Sequence, residues 1–254
     1  MADTVNRFGW IPDLPDARDH RYAAPLAALA ALPRKVDLSE HWPHVYDQGE
    51  LGSCTGNAIA GVIEFAERQE KLAHPSTPSR LFIYWNERAI EHTTSVDSGA
   101  MLRDGIKSVH KDGACREKMW PYVVDRFASR PSAAAYEEAR AHRVTSYARV
   151  ARDLYQMKGC LGSGWPFVFG FTVYESFLSD AVAKTGHVPM PSPAETVEGG
   201  HAVVAVGYDD ATHRFIVRNS WGPGWGMKGY FTLPYAYLLD DNLADDFWTV
   251  RVVV

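Results

Sequence analysis

Cys54 lies in the run DQGELGSCTGNAIA (residues 47–60), between a Gly52-Ser53 pair and a stretch with helical spacing. Ile59, Val62, Ile63 and Ala66 recur at the interval of a buried helix face, and Glu64, Glu67, Arg68 and Glu70 fall mostly elsewhere. Cys54 would therefore occupy the first turn of that helix. There, unpaired backbone N–H groups and the positive end of the helix dipole favour an anion. A thiolate is such an anion, and it is the nucleophilic form of cysteine. By position alone, however, a free cysteine is more often an inert core filler.

Two later segments carry complementary chemistry. GGHAVVAVGYDD (199–210) puts His201 at the head of an apolar strand, straight after two glycines. A histidine there is ordinarily a satisfied polar residue, but the glycines let another chain or ligand approach closely. A neutral imidazole within reach of Cys54 would take its proton and leave an ion pair. RFIVRNSWGPGWG (214–226) then supplies Asn219, whose amide oxygen can accept the other imidazole N–H, with Trp221 to shield that contact from water. Taken alone, this segment reads as an aromatic-glycine turn.

The elements that must position these groups differ between the two halves of the chain. In the first half, Thr77-Pro78 reads as a cap and first helical residue opening SRLFIYWNERAIEH. A further helix is expected over Met101 to Lys111, with Leu102, Ile106 and Val109 inward and Gly113 ending it. In the second half, PFVFGFTVY, HAVVAVGYDD, RFIVRNSW, GYFTLP and FWTVRVVV are short strand-like runs divided by Gly, Pro and Asp, and VPMPSPAETVEGG (188–200) reads as a loop. Helices first and strands later predict an α+β protein with two lobes. Residues 1–31 stand apart. GWIPDLPDARDHRYAAP should run extended with no hydrogen-bonded core of its own, and APLAALAALP should make a short helical turn before Pro33. The segment is either a surface strap or a piece of chain lying across a functional cleft.

A chain of 254 residues with 46% hydrophobic content can bury about three quarters of its unfolded surface, as one domain or two tightly joined lobes. The net charge of −5 is scattered, and no Lys/Arg block marks a nucleic-acid or membrane partner. No apolar run approaches membrane-spanning length, and the first residues lack a signal-peptide pattern, so a cytoplasmic location is expected. Cys54, Cys115 and Cys160 are widely spaced without a CxxC pair, which argues against a disulfide scaffold and a thiolate zinc site. Cys115 and Cys160 read as buried, unreactive thiols. His41 and His44 in HWPH lack a third ligand nearby and read as surface residues.

The order Q-G-x-x-G-S-C, G-G-H-A-V, N-S-W-G-x-G-W-G resembles the papain-like cysteine peptidases. The Cys54–His201 separation falls within the roughly 130–150 residues usual in that family. LPRKVDL (32–38) looks like the start of the mature enzyme, DGACREKMWPY (112–122) like its aromatic-Pro-Tyr segment, and GYF (229–231) like the strand after the tryptophans. The likeness covers residues 32–254. Where the family has a disulfide cysteine before the nucleophile this chain has Leu51, and Thr55 replaces an aromatic residue after it. The glycine-rich double-cysteine segment is reduced to VDSGAM (96–101). These departures fit an intracellular, bacterial-type member. Residues 1–31 stand in place of the long helical prosegment of animal and plant enzymes.

The resemblance implies a helical lobe over about 50–145, a β-barrel-like lobe over about 146–235, and a cleft between them, with the chain ends crossing. It implies peptide-bond hydrolysis through a Cys54 thioester, with His201 as base and then acid, and Asn219 as orienter. Gln48 and the backbone N–H of Cys54 would form the oxyanion hole. Peptide or protein substrate would lie near Ser98, Gly99, Met101, Gly200 and Trp221, with no metal or organic cofactor required. Two alternatives keep the same fold. One is a transpeptidase-like enzyme passing the acyl group to an amine, and the other is a binding protein whose cleft residues 1–31 block.

Overall fold

The computed structural model describes residues 8–42, 44–70 and 77–252, so residues 1–7 of the expected extension lie outside the described residues. From the N-terminal side come β1 (Trp10–Ile11), α1 (Leu26–Ala30) and β2 (Lys35–Asp37). The helical region follows: α2 (Cys54–Gln69), α3 (Arg80–Ile90), the two-residue β3 (Ala100–Met101), α4 (Leu102–Lys111) and α5 (Ala133–Ala139). Next come β4 (Val144–Arg149), α6 (Leu154–Gly162), β5 (Phe167–Tyr174), α7 (Asp180–Thr185), β6 (Val197–Asp209) and β7 (Arg214–Arg218). The chain closes with β8 (Tyr230–Pro234), α8 (Tyr235–Leu239) and β9 (Ala244–Val252).

The α+β expectation holds, with one correction. The sheet runs β4-β9-β5-β6-β7-β8, with β2 added to β6, and every pairing in it is antiparallel. No described pairing joins β4 to β8, so the barrel-like part is an open sheet. Along β5, Phe167, Phe169, Phe171 and Val173 share one face, and Val168, Gly170 and Thr172 the other. The aromatic set packs on itself and on Phe247.

Helix α2 is the axle of the molecule. It packs against α3 and α4 and also against β5, β6 and β9. Its acidic residues are therefore not all on a wet face, as the spacing had suggested. Glu64 and Glu67 are buried, Glu64 accepting from the Tyr46 hydroxyl at 2.5 Å and Glu67 facing His142 Nδ1 at 3.3 Å. A helix enclosed on all sides buries polar groups only where they find partners. Helix α3 begins two residues later than expected. Ser79, not Thr77, is its cap, accepting from Phe82 N–H at 3.1 Å, while Pro78 bridges to Arg116. The loop expected over 188–200 is shorter, because Val197–Gly200 already pair with β5.

The N-terminal segment does have hydrogen-bonded structure. Trp10–Ile11 form a parallel pair with Ala100–Met101. Farther on, the Tyr22 N–H donates to the Arg149 carbonyl at 2.8 Å and the Arg149 N–H to the His20 carbonyl at 2.7 Å. Residues 8–24 thus run from the helical region across to the sheet.

Candidate active site

Cys54 is the first residue of α2. Ser53, at the cap position, makes no side-chain cap. Its hydroxyl instead contacts Tyr122 Oη and accepts from Asn57 Nδ2 at 3.1 Å. His201 lies on β6 opposite Phe171 of β5. Helix α2 packs against β6, and the N–H of the next residue, Ala202, favours the thiolate form of Cys54.

Strand β7 brings Asn219 back to the histidine. Its Oδ1 lies 2.8 Å from His201 Nε2 and also accepts the Ser220 N–H at 2.9 Å. An amide oxygen only accepts, so Nε2 carries the proton and Nδ1 the lone pair. Nδ1 is buried and has no hydrogen-bond partner among the described residues. Trp221 stacks on the imidazole at 5.0 Å and 28°, and Phe171 and Phe177 close round it edge-on or tilted.

Gln48 is stitched to the same segment. Its N–H donates to the Ser220 carbonyl at 2.9 Å, its Oε1 accepts from Ser220 Oγ at 2.6 Å, and its Nε2 donates to the Leu51 carbonyl at 2.9 Å. Asp47 and Trp221 form a β-bridge beside it. The loop before α2 and the loop after β7 therefore behave as one unit.

Protonation departs from the expected anion. Burial pushes the Cys54 thiol up to about 12, against N–H groups of Ala202, Gly9 and Thr55. Burial likewise holds His201 down to about 4, against the pull of Asn219. Both shifts favour the neutral forms of the two groups while they are buried. The helix terminus does favour a thiolate, but desolvation outweighs it because the sulfur is sealed from water.

The seal is the N-terminal segment. Phe8 lies 6.1 Å from the His201 ring and 6.2 Å from Trp221. The Gly9 N–H points at the sulfur, and the Gly9 carbonyl accepts the Ala100 N–H at 2.7 Å. The fit needs glycine on both sides: a Cβ on Gly9 would sit 1.7 Å from the Gly52 carbonyl oxygen, and one on Gly99 2.3 Å from the Gly9 oxygen. Phe8, Gly9 and Trp10 thus lie against His201, Trp221, Gly52 and the Ala100–Met101 strand.

The expected substrate-side residues gather along the same line. Gly99 faces Gly9 but donates its own N–H to Tyr84 Oη, because a φ of +74° turns it inward, and the bond to the extended chain comes one residue later, from Ala100. Ser98 donates to Thr93 Oγ1 and to the Gly99 carbonyl. Met101 pairs with Ile11, and Gly200 lies under Trp10. His41 and His44 pack against Phe65 and Tyr46, and no group of three metal-capable side chains occurs among the described residues. Cys115 and Cys160 are buried free thiols. The sequence reading missed Phe177, Ser220 and Trp10. Only Ser220 carried a signal, as the residue between Asn219 and Trp221.

The model of the papain family cysteine proteases matches residues 32–238. The chain is 48% identical to an uncharacterized peptidase C1-like protein of Acanthamoeba polyphaga mimivirus, over 99% of this chain and 89% of that one. It is 30% identical to the cathepsin B-like CP3 of Giardia intestinalis, over 84% of this chain and 73% of that one. Among solved structures, xylellain, a cysteine protease from Xylella fastidiosa, matches with a TM-score of 0.92 at 46% identity, covering 98% of this chain and 97% of its own. A proCathepsin B from Trypanosoma congolense shares the fold, with a TM-score of 0.75 at 17% identity over 97% of this chain and 86% of that one. The chain therefore belongs to the papain family of cysteine proteases, hydrolases that work through a cysteine thiol.

Proposed function

We propose that Cys54 is the nucleophile of this peptidase, His201 its base and acid, Asn219 the orienter of the imidazole, and Gln48 a donor to the oxyanion. The observation that carries this assignment is the junction at the sulfur. Cys54 opens α2, Asn219 holds His201 Nε2 at 2.8 Å, Trp221 stacks on the imidazole, and Nδ1 is left unpartnered among the described residues. In the reaction, Nδ1 takes the thiol proton and the sulfur adds to the substrate carbonyl carbon. The oxyanion accepts from the Cys54 N–H and Gln48 Nε2, donors that act on charge present only in the transition state. The imidazolium then gives its proton to the departing amine, leaving a thioester. Water, its proton taken by His201, releases the acid and restores the thiol.

The same proposal assigns residues 8–24 as a strap that keeps the cleft shut. What Gly9 offers the sulfur is an N–H, and its carbonyl is turned to Ala100. A strap that turns the Gly9 carbonyl to Ala100 blocks the site without offering that bond for cleavage. Three buried free thiols support work in a reducing compartment such as the cytoplasm. The test is alkylation of the full-length protein with iodoacetamide and peptide mapping. Modification at Cys54 that vanishes in His201→Ala, together with lost peptide hydrolysis, is expected. Equal modification in both proteins would remove the base from His201.

A further inference from the structure

Thr55, the residue after Cys54, is anchored by an acid that the catalytic reading does not use. Its hydroxyl donates to Oε2 of Glu87, on α3, at 2.6 Å, and both residues are fully buried. Helix α4 makes room for the carboxyl, since a Cβ on Gly105 would sit 2.2 Å from Glu87 Oε1. That oxygen has no hydrogen-bond partner among the described residues. Arg88, next to it on α3, donates instead to the carbonyls of Tyr84, Thr94, Val96 and Phe127. The other charged groups that Glu87 feels are acids: Glu91 at the end of α3, and Asp104 on α4, which has Arg103 and Lys107 beside it. From α2 it faces Thr55 and the Cys54 thiol. A buried carboxyl with no ion pair and two acids nearby keeps its proton, because a bare buried charge costs far more than one unmet polar atom.

We propose that Glu87 is a positioning residue for the nucleophile: held neutral, it anchors the Thr55 hydroxyl and so fixes the first turn of α2 without setting a negative charge behind the thiol. The inference rests on Cys54 as the nucleophile. The Thr55 N–H favours the Cys54 thiolate, so the residue that Glu87 holds is one that supports the reacting sulfur. A charge on Glu87 opposes the same thiolate. Ionised, Glu87 would still accept from Thr55 but would work against the anion that attacks the substrate. The proton keeps the anchor and removes the opposition. Burial pushes the Glu87 carboxyl up to about 8, against the Thr55 hydroxyl and Arg88, with Glu91 and Asp104 adding to the rise. The support for the thiolate is therefore present below about 8 and is lost as the acid releases its proton to solvent above that value.

The experiment compares peptide hydrolysis by full-length unaltered protein and Glu87→Gln between pH 6 and pH 9.5. Glutamine keeps a neutral acceptor for Thr55 and cannot ionise. The thiol, His201 and the strap titrate in both proteins, so the ratio of unaltered to variant kcat/KM isolates Glu87. That ratio should be level below pH 7 and fall by about tenfold by pH 9.5, the equivalent of one pKa unit on the thiol. A ratio level over the whole range overturns the proposal. The anchor is read separately at pH 6.5. Thr55→Val should lower kcat by about tenfold with KM little changed, and Thr55→Ser, which restores the hydroxyl, should recover most of the loss. Equal kcat in Thr55→Val and the unaltered protein overturns the proposal even where Glu87→Gln fails to fold. Cys54→Ala, run alongside, separates two failures. Hydrolysis that survives it removes Cys54 as nucleophile, whereas a level ratio in a protein that needs Cys54 removes Glu87 alone.

Discussion

The junction at Cys54 and the strap that covers it are held by different forces. The junction is mostly backbone and close packing. β5 and β6 pair from Phe167–Ala205 to Tyr174–Val197, Gln48 is bonded to Ser220 through its backbone, and aromatic rings wall His201. The strap has few backbone bonds and many charged ones. Arg103 grips Asp19 through two bonds of 3.0 and 2.7 Å, Asp13 accepts from the Arg103 N–H and from Trp248 Nε1, and Arg149 lies near Asp13, Asp19, Asp245 and Asp246. The strap's ion pairs are largely buried and let go only when both partners reach water together, whereas the backbone ladder beneath has no such exchange open to it. On the proposed assignment, the difference makes the catalytic part a fixed tool and the strap its removable cover.

The largest effect should come from the fixed part. Cys54→Ala is expected to lower peptide hydrolysis by about 10⁴-fold or more, since the residues of such a unit act together. A variant retaining a hundredth of the activity would place the nucleophile elsewhere. Gln48→Ala should cost about 10²–10³ in kcat, the usual loss for one oxyanion donor. Its Cys54 alkylation rate should stay close to normal, because Gln48 acts on the oxyanion and not on the thiol. A fall in alkylation matching the fall in kcat would make Gln48 a packing residue instead.

The cover should respond in the opposite direction. Trp10→Ala removes a buried indole, a change that typically costs about 3–5 kcal/mol. That loss falls on the closed strap, since the sheet beneath does not depend on Trp10. Cys54 alkylation and peptide hydrolysis should both rise, on the order of tenfold or more. Unchanged rates would mean that the strap opens by a route that leaves Trp10 in its slot.

Sequence alone made the fixed tool legible and the cover only half so. Cys54, His201 and Asn219 each sit at the end of a patterned element, so local spacing pointed to them. Gln48 was reached through family likeness. The open sheet was less visible, since β4 (VTSYAR) pairs with β9 through tertiary contact and alternates little in burial. Glu64 and Glu67 misled because helical spacing says which residues share a face, not how many faces are covered. Asp246 left no signal. Its role comes from meeting Trp10 and Asp13 across almost the whole chain, a pairing that no local pattern encodes.

The smallest expected effect is one of pH, and it bears on the cover alone. Burial, then the nearby Asp13 charge, pushes the Asp246 carboxyl up to about 7, against the Asp13 N–H and Arg149. Asp13 is raised too, mainly by burial, against the Arg103 N–H, Trp248 and the charges of Arg103 and Arg149. Asp13 would return toward the ordinary 3.8 once the strap moves into water, and Asp246 would lose the Asp13 charge that helps to raise it. The closed form thus binds protons that the open form releases, so closure is strongest at low pH and weakens as pH rises from about 4 toward 7. Arg103 and Arg149 remain charged throughout this window and do not reverse the sign. Alkylation of Cys54 should therefore gain several-fold between pH 5 and pH 7.5 beyond the ordinary gain of any thiol. Asp13→Asn supplies the correction, because it removes the repulsion that raises Asp246 while leaving Cys54 and His201 in place. The ratio of unaltered to variant rates should climb with pH. A flat ratio would mean that the two carboxyls share no proton, and that packing at Trp10, not charge at Asp13, holds the strap closed.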